Sequence, residues 1–409
     1  MRALILESGT YETFRTIASQ LVAIGIETYV YCVDAAVMQD QLKREGHIAV
    51  PDSHTQTIDL VLCANFFRNP EVSKTADRIE GSFPLINITW SHPVSEIPEP
   101  WRRQGVEACN AFFKQQRIYF WIPCPFAAME YKKLGYENGI YAPLPLLDIM
   151  LAGDYRYQWL QKDRVSYFAP SQINFSQAVV NDKQVNDYDV VYLGDLLKTP
   201  PTCSPELQQL ALEVAQYCVA DTSISRYQST DLWSEIIPDG SPNSLKAFDH
   251  FHNWFFYHHA RLTRGRFVKA LVGQLEDRLL LYGDAWIEQG LGGNPKALVE
   301  RHALYNQIPI SIDFGSTSFE TCFFPRTLEI IKWKGTLLSY RRPDTHMFFG
   351  QVADAPIFDH EITMAKEVTQ LIENPQDRKQ RRDTLHSALL KQPTSSSGLQ
   401  IIIQNALGC

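Results

Sequence analysis

The chain contains no Cys-x-x-Cys pair, although it has eight cysteines: Cys32, Cys63, Cys109, Cys124, Cys203, Cys218, Cys322 and Cys409. That absence excludes a zinc ribbon, and the scatter excludes a disulfide framework, so most of these thiols are read as small core hydrophobes. No apolar run reaches the ~20 residues a bilayer requires. The richest, Leu21 to Val33, is broken by Glu27. Met1-Arg2 is followed by only four apolar residues before Glu7, too few for an export core, so a cytoplasmic location is expected. Positive charge is also in deficit. Lys and Arg number 38 against 46 Asp and Glu, a net charge of −8, which repels a phosphate backbone and leaves no nucleic-acid partner expected. With no basic amphipathic helix at either end, no stable membrane anchor is expected.

What is present is the composition of an ordinary soluble globular chain, 45% hydrophobic and 21% charged. A length of 409 residues implies two to three domains at ~150 residues each. A single core stops growing at about 250–300 residues, so two is the simplest reading.

The N-terminal part alternates short apolar runs with helical patterns. Strands are expected at Ala3–Glu7, Glu27–Val33, Ile58–Ala64, Phe83–Trp90, Ile118–Ile122 and Ile140–Leu147. The third and fourth are continuous apolar runs, as in a parallel sheet covered on both faces. Between Met150 and Asn186 the pattern loosens, and the division falls there: residues 1–180 as one domain with its linker, 181–409 as the other. The second part repeats the pattern, with strands at Asp189–Leu193, Arg278–Tyr282, Ile308–Phe314 and Thr336–Tyr340. Its helices are expected from Ser204 to Val219, over Leu245–Leu275 with a break near Gly265, from Asn294 to Tyr305, over Pro325–Lys334, Glu361–Glu373, Pro375–Leu390 and Leu399–Leu407. Residues 221–245 read as a loop. The fold class is therefore α/β, with two Rossmann-like domains facing a cleft and a C-terminal helix packing back.

Ligands of open α/β sheets bind at the carboxyl ends of the strands. The exits of the second part are Gly194-Asp195, Gly283-Asp284, Asp313–Ser318 and Arg341–Asp344. Gly315 and Ser316 lie in a small-residue loop that leads into a helix, a place where free N–H groups can meet a phosphate. Ordinary turn chemistry accounts for the same glycines. Arg326 and Glu329, three apart, share a helix face. Two readings of that pair stand open: an intrahelical ion pair on a solvated face, or an arginine for a diphosphate and a glutamate for ribose hydroxyls. Asp313 belongs to no Asp-x-Asp pair, so a metal-bridged diphosphate lacks its usual ligands. His250, His252, His258 and His259 are read as part of an aromatic packing helix rather than a metal site. Arg261, Arg264, Arg266 and Lys269 are read as a solvated basic face.

The order of these segments resembles the spore maturation protein CgeB-like glycosyltransferases. The segments are Val190–Gly194, Leu279–Trp286, Tyr305-Asn306, Ile308–Phe314, Phe324–Glu329 and Gly335–Leu338, with Tyr131–Gly135 and Ala142–Asp148 in the first part. The resemblance spans most of the chain and is firmest over 279–340. It implies GT-B architecture, with a nucleotide-diphospho-sugar as donor substrate, no cofactor and no essential metal. The acceptor is left open among glycan, protein, lipid and small molecule. It further implies donor contacts from Gly194, Tyr282, Gly283, Arg326 and Glu329; Tyr305 and Asn306 match the family's pair, and either donor or core is open for them.

Two features depart from the family. Glu320 and Glu329 are one residue further apart than the two glutamates of many retaining enzymes, and Ser91-His92-Pro93 stands where Asp-x-Pro is frequent. His92, just past the fourth strand, and Glu7, at the end of the first, are candidate catalytic bases. A turn-capping role is the other reading of His92. Two further functions stay open: a catalytically silent GT-B-like protein that binds a nucleotide-sugar or a partner, and a two-lobed small-molecule binding protein, against which the missing export pattern counts.

Overall fold

The computed structural model describes residues 1–7, 14, 17, 18, 20–22, 24–33, 58–77, 79, 82–89, 93–142, 179–180, 183–197, 199–223, 242–292, 301–315, 325–345, 357–390 and 396–408. The chain divides into two compact units. The first comprises Met1–Phe168, Ile237–Lys246 and Pro393–Cys409; the second comprises Ala169–Ile236 and Ala247–Gln392. The expected boundary at 180 and the expected assignment of the whole tail to the second domain both differ from this. The tail joins the first unit because the helix Ser396–Leu407 buries Leu399, Ile402, Ile403 and Ala406 and packs against that unit's last strand. The expected packing back of this helix is thus onto the first sheet.

The first sheet has six strands: β1 (Arg2–Glu7), β2 (Glu27–Cys32), β3 (Leu60–Ala64), β4 (Leu85–Ile88), β5 (Ile118–Ile122) and β6 (Gly139–Tyr141). Their order is β2-β1-β3-β4-β5-β6, and every pairing is parallel. Each residue of β3 and β4 is buried, the signature of strands covered on both faces. β4 is shorter than the expected Phe83–Trp90. β6 ends at Tyr141, and residues 143–147 of the expected strand lie outside the described residues. A small antiparallel hairpin, β7 (Val179–Val180) with β8 (Lys183–Gln184), was not legible in the polar run around it.

The second sheet contains β9 (Val190–Leu193), β10 (Leu279–Tyr282), β11 (Ile310–Asp313), β12 (Leu337–Tyr340) and β13 (Ile357–Phe358). The order is β10-β9-β11-β12-β13, again all parallel. All five carboxyl ends therefore emerge along one edge. β10 and β11 flank β9 on opposite sides, so the chain reverses direction across the sheet between β9 and β11. Such a switch point opens a crevice outside the strand ends.

Helices seal this sheet through apolar stripes. Arg266–Leu275 buries Phe267, Val268, Leu271 and Leu275, spaced for one face. They pack on Val190, Ile310, Ile312 and Leu338, each such side chain contributing roughly 1.5–3 kcal/mol on burial. Instead of a break near Gly265, a π-helical turn, Arg261–Gly265, joins this helix to Pro242–Ala260 without interruption. That earlier helix also begins inside the expected 221–245 loop. Of the expected helix Asn294–Tyr305, the described part is Arg301–Gln307. Ser204 caps Pro205–Ala220 as its sequence predicts, its hydroxyl accepting from Leu207 N at 3.3 Å.

Candidate functional site

Three strand exits of the second unit are tied together by hydrogen bonds. After β9, the Asp195 carboxylate accepts from its neighbour Leu196 N at 2.9 Å, and from Asp284 N at 3.1 Å and Ala285 N at 3.0 Å after β10. It thereby fills the N-terminus of the short helix Asp284–Glu288. Gly283, at φ +150°, has no room for a side chain: a Cβ there would lie 2.5 Å from the Gly194 carbonyl oxygen and 2.7 Å from the Trp286 ring. Trp286 Nε1 donates to that same carbonyl at 2.5 Å. Gly194, Tyr282 and Gly283 are thus brought together at the β9 and β10 exits. Tyr282 is largely buried, and burial pushes its hydroxyl pKa upward.

At the β11 exit, Asp313 is 1% exposed. Its Oδ1 accepts from Gly315 N at 2.8 Å, its Oδ2 from Thr327 Oγ1 at 2.5 Å, and Arg326 Nη1 lies 3.8 Å from Oδ1. This carboxylate pins the loop start to the first turn of the helix Pro325–Lys332. Arg326 keeps a quarter of its side chain exposed (23%), so it remains accessible at the mouth. Gly315, at φ +68°, lies against Arg342: a Cβ would fall 2.9 Å from Nε and Nη2. Arg342 is buried and donates from Nη2 to the Phe314 carbonyl. Ser316 lies outside the described residues. Glu329 is on the described helix backbone, but its side chain is outside them, so neither open reading of the Arg326 and Glu329 pair is resolved by contact.

Tyr305 and Asn306 are not at this edge. They belong to the helix that feeds β11, at the amino ends of the strands. Tyr305 is 2% exposed, and a Cβ at Gly335, which precedes β12, would lie 2.9 Å from its carbonyl oxygen. Asn306 Nδ2 donates to Trp333 O at 3.1 Å, closing the far end of the neighbouring helix. Of the two open readings, the geometry selects core and connection over donor contact.

Arg264 overturns the solvated basic face. It is 7% exposed and donates from Nη1 to Asp195 O at 2.9 Å and from Nη2 to Gly315 O at 2.5 Å. Its neighbours part from it: Arg261 lies over the Tyr257 ring at 4.4 Å, and Arg266 pairs with Glu361. The sequence signal was there, since Arg264 stands on the apolar stripe between Ala260 and Phe267. Asp195, Asp313 and Arg342 lie in exits named from the sequence without being singled out there as site residues, and Thr327 was not named as one; position directly after a parallel strand, or on the next helix's first turn, is what marks them.

A depression of about 510 Å³ opens beside the β12 and β13 exits, lined by Asp221, Arg266, Arg341, Asp359 and His360 among others. Its cations are neutralised locally, with Arg341 Nε 3.4 Å from Asp359 Oδ2 and Arg266 on Glu361. The histidines of the preceding helix pack as read: His252 against Phe256 and His259 against Phe255, with no group of metal ligands among the described residues.

The first unit's exits are built differently. Asn65, just past β3, adopts φ 57°. The next amide, Phe66 N, donates to Asn87 Oδ1 at 3.0 Å, and Asn87 Nδ2 donates to Glu96 Oε2 at 2.7 Å. Asn87 and Glu96 are both buried, so this brace joins the β3 exit to the turn after β4 from beneath. Glu7 ends β1 next to β3, although its side chain lies outside the described residues, as does all of His92. Cys63 and Cys109 are buried, and burial holds the first thiol well up and the second at about 11, so neither is a thiolate nucleophile at neutral pH.

No family profile matches the chain, and no curated protein matches it. Solved structures do show similarity. A glycosyltransferase from Rickettsia africae ESF-5 is 12% identical, with 100% of this chain and 97% of that one covered, at a TM-score of 0.43. T4 phage BGT in complex with its UDP-glucose substrate is 11% identical, with both chains fully covered, at 0.47. Anabaena Alr3699/HepE in complex with UDP and glucose is 10% identical, also fully covered, at 0.42.

Proposed function

We propose that this chain is a glycosyltransferase of GT-B architecture, akin to the CgeB-like enzymes. It moves a sugar from a nucleotide-diphospho-sugar to an acceptor that is a glycan, protein, lipid or small molecule. The second unit takes the donor and the first unit the acceptor, in the cytoplasm and without an essential metal.

The observation that carries this reading is Arg326, a partly exposed guanidinium on the first turn of a helix that follows the switch-point strand. A diphosphate leaving there gains two favourable terms: pairing with the guanidinium, and the positive end of the helix dipole. Asp313 keeps the Gly315 amide and the Thr327 hydroxyl as partners when Arg326, 3.8 Å away, pairs with a phosphate. Glu329, one helical turn on, would accept from the ribose hydroxyls. Gly194, Gly283 and Gly315 let the exits pack closely on Tyr192, Trp286 and Arg342 and so shape the loops the donor would meet, with Ser316 following Gly315 in sequence. Glu7 or His92 would take the acceptor proton.

The test is calorimetric titration with UDP, GDP, ADP and CMP, with and without EDTA, on the native chain and on Glu329→Ala. Tight binding of one nucleotide, indifferent to EDTA and lost in the variant, supports the donor site. Binding without sugar transfer or slow donor hydrolysis moves the reading to a silent nucleotide-sugar-binding protein. No binding of any nucleotide sinks it.

A further inference from the structure

We infer that Arg264 is a positioning residue of the donor site: its guanidinium fork locks the exits of β9 and β11 together and holds a positive charge beneath the crevice between them. This rests on the reading of the second unit as a nucleotide-sugar site.

The two carbonyls it bridges, of Asp195 and Gly315, follow two neighbouring strands and lie far from Arg264 in sequence. They flank the point where strand order reverses, so the bridge spans the place where an α/β sheet opens for a ligand. Only arginine suits the task, because its planar fork directs two donors at fixed separation, whereas lysine is a point charge on a flexible stem. Burying a guanidinium costs several kcal/mol unless a carboxylate compensates it. Among the described residues none lies within ion-pair distance of Arg264, in contrast to Arg266, Arg326, Arg341 and Arg381. A second group lies beside it: the Tyr192 hydroxyl is fully buried, finds no hydrogen-bond partner among the described residues, and is held below Gly194 within the field of Arg264 and Arg326. A cation kept there fits a site that receives a strongly anionic ligand.

The aiming device is the π-helical turn Arg261–Gly265. It widens the helix, and Thr263 Oγ1 donates back to His259 O at 2.6 Å within it. Such turns are rare inside helices and cluster at functional sites.

The experiment compares the native chain with Arg264→Lys, Arg264→Gln and Arg264→Ala by nucleotide titration and by urea unfolding. Arg264→Lys keeps the charge and loses the fork. It is expected to bind the nucleotide about tenfold more weakly or worse, as loss of one charged hydrogen bond implies. Millimolar guanidinium ion is expected to restore affinity to Arg264→Ala, while methylammonium does not; a purely structural role would move stability alone. Native affinity in a folded Arg264→Lys or Arg264→Gln overturns the inference and leaves the donor site standing. Failure of the native chain to bind any nucleotide overturns the functional reading first.

Discussion

The two sheets share one construction and diverge at their strand exits. Both are all-parallel and both reverse order beside their first strand. Under the first sheet's exits lies a buried amide-carboxylate brace, Asn87 with Glu96, that ties one loop amide. Under the second lie Arg264 and Arg342, which tie loop carbonyls. Each brace fixes loops equally well. Among the described residues the first brace is an amide with a carboxylate and the second is cationic, and the proposed division between acceptor and donor rests on that difference.

Five substitutions sharpen or break that contrast. The largest effect is expected from Gly283→Ala, which drives a methyl into the Gly194 carbonyl and demands a backbone angle alanine avoids. It should cost about 3 kcal/mol or more in urea unfolding. Next is Asn87→Leu, which removes the acceptor of Phe66 N and the donor to Glu96. A loss of roughly 2–3 kcal/mol with unchanged nucleotide affinity is expected; weakened nucleotide binding would erase the division of labour. Asp313→Asn places an amide nitrogen against either the Gly315 amide or the Thr327 hydroxyl, costing about 2 kcal/mol and, unlike Asn87→Leu, also weakening the nucleotide.

The smallest effect separates two buried tyrosines. Tyr131 of the first unit donates to Asn138 Oδ1 at 2.8 Å, whereas the Tyr340 hydroxyl of the second has no hydrogen-bond partner among the described residues. Tyr131→Phe should cost about 1 kcal/mol at neutral pH and Tyr340→Phe close to nothing. Burial raises the Tyr340 pKa from 10.0 to about 12. The folded form therefore favours the neutral phenol, a contribution fully present below pH 10.0 and lost as pH rises towards about 12. Stability curves of the native chain and Tyr340→Phe should meet below that window and separate by of order 1–2 kcal/mol within it; parallel curves would refute the assignment.

Much of the fold was legible because parallel strands buried on both faces are continuous apolar runs, as Leu60–Ala64 and Leu279–Tyr282 are. Turn residues marked the exits, so Gly194, Gly283 and Gly315 were placed just past strands β9, β10 and β11. Arg264 was not, because arginines at helical spacing look alike until one is seen on the apolar stripe. The π turn left no trace, since it changes hydrogen-bond spacing and not residue type. Tyr305 and Asn306 were grouped with the donor residues through the order of family segments, which says nothing about which end of a strand a flanking helix occupies. The tail's partner was equally hidden: an apolar helix announces that it will be covered, not by which sheet.

That tail has a consequence for synthesis. β6 is complete at Tyr141, but the helix that packs on it ends at Leu407. A ribosome adding ~5–20 residues per second reaches that helix on the order of 10–50 s later. Through that interval the nascent first unit lacks the helix that packs on β6. Shortening the wait, by circular permutation that brings residues 396–407 ahead of β1, should raise the soluble yield of rapidly translated chain.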